Sequence, residues 1–154
     1  MLQGLDERKL GKPGTKVKVR SFLGATVEAM YDYMKPLMRK HPTKIILHIG
    51  TNNTPYENSR VVLDKILALK TFIEKSLPNS KVLLSSIINR TDNGKASYTV
   101  LKLNEHLASL ELKLIDNANI SPSCLDSRGL HLNENSYGRL ALNFIKGMKL
   151  FGKK

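Results

Sequence analysis

Three loops that follow predicted strands each carry a residue suited to proton transfer or to binding a negatively charged oxygen. Gly24 lies at the start of a predicted helix, where its backbone N–H can donate a hydrogen bond with no side chain in the way. The side-chain amide of Asn52 can donate two hydrogen bonds to a developing oxyanion, and His131 could act as a general base. Taken singly, they are more often a turn glycine, a capping asparagine and a surface histidine. Their order and their placement together favour a site.

Strand-like and helix-like segments alternate along the chain and predict a parallel sheet covered by helices on both faces. The predicted strands are Lys16–Phe22, Lys44–Ile49, Lys81–Ile88 and Leu112–Ile115. The predicted helices are Ala25–Arg39, Asn58–Leu77, Ser97–Leu110 and a last helix that Asn133 or Ser136 caps and that ends near Met148. Ligands of such sheets bind at the carboxyl ends of the strands, so the three loops should meet at one edge.

The 154-residue length fits a single domain over residues 1–154. No apolar run approaches the roughly 20 residues of a membrane span, and we see no secretory signal in the first 20 residues. Cys124 is the sole cysteine, which excludes an internal disulfide and a cysteine-built zinc site. A single thiol is typical of a reducing compartment, and we therefore expect an intracellular, cytoplasmic protein.

The chain is basic, with 25 Lys and Arg against 13 Asp and Glu and a formal net charge of +12. This excess points towards polyanionic partners such as RNA or DNA. A solvated basic surface is the competing interpretation. Two groups of cations contain no acidic residue, namely Arg139, Lys146, Lys149, Lys153 and Lys154, and Lys35, Arg39, Lys40 and Lys44.

Gly24, the run Gly50-Thr51-Asn52-Asn53 and the run Gly129-Leu130-His131-Leu132-Asn133 together resemble the second, third and fifth blocks of the SGNH hydrolases, also called GDSL-type esterases. The resemblance extends from Met1 to about Phe151 and is closest to the SGNH-type domains of animal LINE-type retrotransposons. It implies a three-layer α/β/α sandwich with a flavodoxin-like parallel sheet, an ester substrate, and no metal or organic cofactor. It also implies that Gly24 and Asn52 form an oxyanion hole and that His131 activates a serine nucleophile.

The chain departs from the family pattern at three places. The family's first block, Gly-Asp-Ser, holds the nucleophile, and here Met1–Leu5 resembles the residues that directly follow that serine. The family often has Asp three residues before the histidine, where this chain has Arg128, so Asp126 is the substitute candidate for orienting His131. Asn53 replaces the aspartate of the common Gly-Thr-Asn-Asp block.

We do not expect another residue to replace the missing serine. The other serines considered are Ser21, Ser85, Ser86, Ser127 and Ser136. The chain is therefore interpreted as a truncated SGNH-type domain that is inactive by itself. A non-catalytic module that binds nucleic acid or anionic surfaces through its basic faces is the alternative, and a decayed gene product is a third.

The same truncation leads to expectations about the fold. We expect four main parallel strands rather than five, with Met1–Leu10 forming a helix instead of a strand. The strands on either side of the missing one either pair directly or leave a gap with unpaired edges. Loss of a central apolar strand predicts a chain of marginal stability.

Overall fold

The sheet has three parallel strands in the computed structural model. The structure describes residues 2–150. Met1 and residues 151–154, which include Phe151, Lys153 and Lys154, lie outside the described residues. The strands are β1 (Lys44–Leu47), β2 (Lys81–Ser85) and β3 (Leu114–Ile115), and β2 lies in the middle. Lys44 pairs with Lys81, and Leu84 pairs with Leu114. Short apolar runs bounded by turns suit such buried parallel strands.

Five helices cover this sheet within residues 2–150. They are α1 (Glu7–Leu10), α2 (Met30–Met38), α3 (Ser59–Ser76), α4 (Gly94–Ser109) and α5 (Tyr137–Leu150). Asn58 caps α3 by accepting a hydrogen bond from the Val61 N–H, and Asn93 caps α4 through the Ala96 N–H. Helix α2 starts later than the predicted Ala25 because residues 27–29 form turns. It continues through Pro36 and ends at Met38.

Two apolar clusters, one on each face of the sheet, make the fold three layers thick. The first contains buried side chains of α2, α3 and α4, and the second contains those of α1 and α5. Alternate residues of β2 point to opposite faces, so that Val82 and Leu84 join the first cluster and Leu83 joins the second. The predicted α/β architecture is therefore confirmed.

The predicted strand Lys16–Phe22 is wrong, and the sheet has three strands where four were expected. The alternation that suggested a strand is nonetheless present, because Val17 and Val19 are half-buried against the second cluster while Lys16 and Lys18 are exposed. A strand also needs a neighbour to share its backbone hydrogen bonds. In this chain the Val19 N–H donates to the Glu7 carboxylate, at 3.0 Å, instead of to another strand.

The segment before this point is helical, as predicted, over the residues that the structure describes. Leu2–Gly4 forms a 3-10 turn and α1 follows it. No strand from these residues fills the space next to β1, where a groove of about 1390 Å³ remains. Segment 16–22 lines one side of this groove and β1 lines another. Of the two outcomes that the sequence left open, the gap is the one observed.

Candidate functional site

The loop after β1 lies against the loop that contains Gly24. The side-chain amide of Asn52 donates a hydrogen bond to the Ala25 carbonyl, with a nitrogen–oxygen distance of 2.8 Å. Gly24 has a φ of +71°, a conformation that favours glycine, and open space surrounds the position a Cβ would take. Two loops that are well separated in sequence are thus held together next to the first two predicted site residues.

Asn53 fixes this junction, although the sequence analysis noted it only as a replacement for the aspartate of the resembled family block. Its side chain is 1% exposed. The Oδ1 atom accepts a hydrogen bond from the Val27 N–H at 3.0 Å, and Nδ2 donates to the Glu28 carboxylate at 3.0 Å. Nδ2 also donates to the Glu57 carboxylate at 3.4 Å. Its burial and its distant partners depend on the folded chain, so no local pattern could have revealed this role.

The Glu28 carboxylate connects the same loop to α3. Lys65 forms ion pairs with both Glu28 and Glu57. The Lys65 ammonium, helped by the Asn53 amide, lowers the pKa of Glu28 to about 2. The loop before α2 is therefore held by charged and amide groups from two other elements.

His131 lies in a turn between Asp126 and Leu132. Leu125, which precedes Asp126, forms an antiparallel bridge with Leu132 and so closes the turn. Burial lowers the pKa of the His131 imidazole, and the nearby Arg128 and Arg90 cations act in the same direction. A lowered pKa favours the neutral imidazole at neutral pH, which is the form a general base requires.

The Asp126 carboxylate, the candidate for orienting His131, is engaged with its own loop. It forms an ion pair with the Arg128 guanidinium at 3.0 Å and accepts a hydrogen bond from the Arg128 N–H at 3.2 Å. The Asp126 N–H donates to the His131 carbonyl at 2.7 Å. Burial raises the pKa of the Asp126 carboxyl, but Arg128 and the backbone N–H groups of the turn outweigh it, so that the net shift is downward. These contacts shape the turn that presents His131.

Arg90, which the sequence analysis overlooked, joins the loop after β2 to the Asn52 loop. Its side chain is 7% exposed, and its guanidinium pairs with both carboxylate oxygens of Asp92, at 2.6 and 2.5 Å, and donates to the Thr51 carbonyl at 3.0 Å. The next residue, Thr91, donates its N–H to the Gly129 carbonyl at 2.8 Å. The loop after β2 therefore contacts both neighbouring loops, through Arg90 on one side and Thr91 on the other.

Gly129 lies close to this junction. Its φ is +71°, and a Cβ there would collide with the Thr91 hydroxyl. The glycine of the third predicted loop is thus required both by its conformation and by the approach of the loop after β2.

Two of the serines that were considered as substitute nucleophiles take part in a buried hydrogen-bond network. The Ser85 hydroxyl lies 2.9 Å from Nδ1 of His48 and accepts from the Asn117 amide at 2.7 Å. The Ser86 hydroxyl accepts from the Asn117 N–H at 2.9 Å. Burial lowers the pKa of His48 to about 4, which keeps this imidazole neutral. The network satisfies the polar groups of these side chains, which is a packing role.

Among residues 2–150, no group of three or more His, Cys, Asp or Glu side chains is placed to hold a metal ion. Cys124 is a buried free thiol. Within the same residues, no helix combines the length and the apolar character needed to cross a membrane.

Solved structures of esterases share this fold. A lipase/acylhydrolase from Enterococcus faecalis superposes with a TM-score of 0.64 at 17% identity, over 82% of this chain and 71% of that one. A carbohydrate esterase of family 3 from Talaromyces cellulolyticus gives 0.65 at 16% identity, over 90% and 76%. A mutant acetyl esterase with an acetate ion gives 0.62 at 17% identity, over 84% and 68%.

No protein-family model matches the sequence, and no curated protein matches it either. The solved structures establish only the α/β fold that this chain shares with these esterases and acylhydrolases.

Proposed function

We propose that this chain is an esterase-like domain of the SGNH type that has the groups for stabilising and transferring charge but lacks the serine nucleophile, and that it is inactive by itself. In the complete reaction a serine oxygen attacks the ester carbonyl while His131 takes the hydroxyl proton. Asn52 and the Gly24 N–H bind the oxyanion of the tetrahedral intermediate. His131 then gives the proton to the leaving alcohol, and water releases the acid from the acyl-serine.

One observation carries this proposal. The Asn52 amide lies against the Gly24–Ala25 loop at the carboxyl edge of the sheet, and Arg90 together with Thr91 connects that edge to the His131 loop. The predicted oxyanion donors and the predicted base thus belong to loops that contact one another through a shared neighbour. The neutral imidazole that burial favours at His131 also supports its assignment as the base.

We also propose an evolutionary origin and a cellular location for the protein. The amino-acid sequences of the segments around Gly24, Asn52 and His131 support an origin in a LINE-type retrotransposon. The single buried thiol of Cys124 supports a reducing, cytoplasmic location.

Hydrolysis of p-nitrophenyl acetate tests the proposed function. We expect the chain to give no rate that depends on His131. A chain preceded by an apolar strand ending in Gly-Asp-Ser should hydrolyse the ester, and Asn52→Ala should lower its turnover by roughly 100- to 1,000-fold because one oxyanion donor is lost.

The matched control is His106→Ala on α4, which removes a histidine outside the proposed site. Rapid hydrolysis by the unextended chain that His131→Ala abolishes and His106→Ala does not would reveal a substitute nucleophile. An extended, folded chain without activity would also contradict the proposal.

A further inference from the structure

Positive charge is distributed unequally between the two helical layers of the fold. Segment 2–20 and α5 pack on the second apolar cluster, and together we call them the basic layer. The basic layer contains nine Lys and Arg against two acidic residues, whereas α2, α3 and α4 of the other layer contain seven against four. The positive charge of the helical layers is therefore concentrated on one side of the sheet.

The two acidic residues of the basic layer are already paired within it. Asp6 pairs with Arg8, and Glu7 pairs with Lys18 and Arg20. The remaining six cations are exposed, and none of them forms an ion pair with an acidic side chain of residues 2–150. They are Lys9, Lys12, Lys16, Arg139, Lys146 and Lys149.

The packing of the basic layer turns these cations outward. In segment 16–20 the valines are half-buried against the second cluster, and the cations that alternate with them are exposed. On α5, Leu140 and Phe144 are buried, whereas Arg139 and Lys146 are exposed and lie on one side of the helix because they are about two turns apart. Since α1 contacts α5, the cations of both parts belong to one positive surface.

This surface suits phosphate groups better than it suits bases or a lipid surface. Tyr137 and Phe144 carry the only aromatic rings of segment 2–20 and α5, and neither is exposed for stacking on a base. Leu142 and Leu150 are the only exposed large apolar side chains of the same two parts. Insertion into a lipid surface needs a continuous apolar face, which two separate leucines do not provide.

A nucleic acid also fits this surface better than an acidic protein does. Six of the nine cations of the basic layer are lysines, and lysine is depleted from protein–protein interfaces. Lysine and arginine contacts to phosphates, in contrast, supply the sequence-independent part of nucleic-acid binding. A duplex carries one negative charge per roughly 1.7 Å of its axis, which is twice the density of one of its strands.

We propose that the basic layer binds the phosphate backbone of double-stranded nucleic acid without preference for its sequence. The exposed ammonium and guanidinium groups neutralise phosphates and release the counterions that these phosphates had condensed. The contact is made by the outer surface of the layer, and the interior of the groove beside β1 takes no part in it. This inference does not depend on the proposed hydrolysis.

The test is fluorescence anisotropy with the purified chain and two short labelled DNA duplexes of unrelated sequence. We expect equal affinity for the two duplexes and weaker binding of either single strand. If the six exposed cations each contact a phosphate, the affinity should fall by about a thousandfold between roughly 50 and 200 mM salt.

Two variants of equal net charge test whether the basic layer is the binding surface. The first combines Lys12→Gln, Lys16→Gln and Lys146→Gln. The matched control combines three exposed cations of α3 and α4, namely Arg60→Gln, Lys75→Gln and Lys95→Gln. We expect the first variant to bind at least about tenfold more weakly and to lower the salt slope by about three, because each lost phosphate contact removes about one from it. The control should keep both the affinity and the slope, and circular dichroism shows whether each variant is folded.

Four results would overturn the proposal. Equal losses of affinity in the two variants would mean that net charge, and not the basic layer, attracts the duplex. Absence of binding at low salt, or an affinity that does not change with salt, would leave the basic layer as a solvated surface. Tighter binding of a single strand would contradict the assignment to a duplex. Displacement of the duplex by poly-glutamate or by vesicles of anionic lipid, at an equal or lower concentration of charge, would assign the surface to that class of partner.

Discussion

Asn53 acts through both ends of its side-chain amide. Its oxygen accepts from a backbone N–H, and its nitrogen donates to the carboxylates of Glu28 and Glu57. An aspartate, the residue that the resembled family commonly has here, would keep the acceptor but lose the donor, and it would place a third carboxylate beside two others. The local environment of this chain is therefore built for an amide.

We predict that Asn53→Asp destabilises the chain at pH 7 by about 1–3 kcal/mol, the usual cost of leaving a buried polar partner unsatisfied. Urea unfolding measures the free-energy difference. Asn79→Asp, a change of the same type at an exposed position, should stay within about 0.5 kcal/mol of the unaltered chain. Equal stability of the two variants would show that the Asn53 contacts contribute nothing specific.

The sequence predicts those residues of the proposed site whose signal is local. Gly24, Asn52 and His131 stand out because each follows a predicted strand and has a chemically suitable type. Asn53, Arg90 and Asp92 do not stand out, because their importance comes from burial and from partners such as Thr51 that only folding brings near.

At the level of elements, the loop after β2 joins the loops on either side of it. Arg90 bonds to the Thr51 carbonyl and to Asp92, and Thr91 bonds to Gly129. The arginine has the planar, forked donor set needed to reach two such partners at once, which lysine lacks.

We therefore predict that Arg90→Lys retains the charge but lowers the free energy of unfolding, by about 1–3 kcal/mol, through loss of the bidentate contact. Hydrogen exchange of the Thr91 N–H should accelerate at the same time. Arg60→Lys on the exposed side of α3 is the control and should change neither quantity. Unchanged exchange at Thr91 in the Arg90 variant would contradict the linking role of this loop.

Apolar periodicity predicted helix α3 correctly but predicted a strand over residues 16–22 that does not form. Segment 58–77 is predicted from apolar spacing and forms α3 within one residue at each end. Segment 16–22 has an equally clear alternation and forms no strand, because a strand requires backbone partners that a sequence pattern does not specify. The strand predicted over Lys81–Ile88 likewise ends early, at Ser85. Ser85 pairs with Ile115, the last residue of β3, so β2 ends where its partner strand ends.

For the whole molecule, the open edge of β1 and the groove beside it predict a low free energy of unfolding. A chain preceded by an apolar strand ending in Gly-Asp-Ser should unfold at a higher temperature, since each large side chain newly buried contributes about 1.5–3 kcal/mol. A matched extension with Ser and Gly in place of the apolar residues should give no such increase. A high, cooperative melting temperature for the unextended monomer, unchanged by the apolar extension, would contradict this view of the fold.

The central proposal is that Gly24, Asn52 and His131 form an esterase site to which this chain supplies no serine nucleophile. Intact-mass spectrometry after treatment with a fluorophosphonate tests it most directly, because an activated serine oxygen displaces fluoride and keeps the phosphonyl group. We predict one adduct on the extended chain, located on the serine of the added Gly-Asp-Ser and lost with His131→Ala, and no adduct on the unextended chain. An adduct on a serine within residues 2–150, or one on the extended chain that His131→Ala does not remove, would contradict the claim.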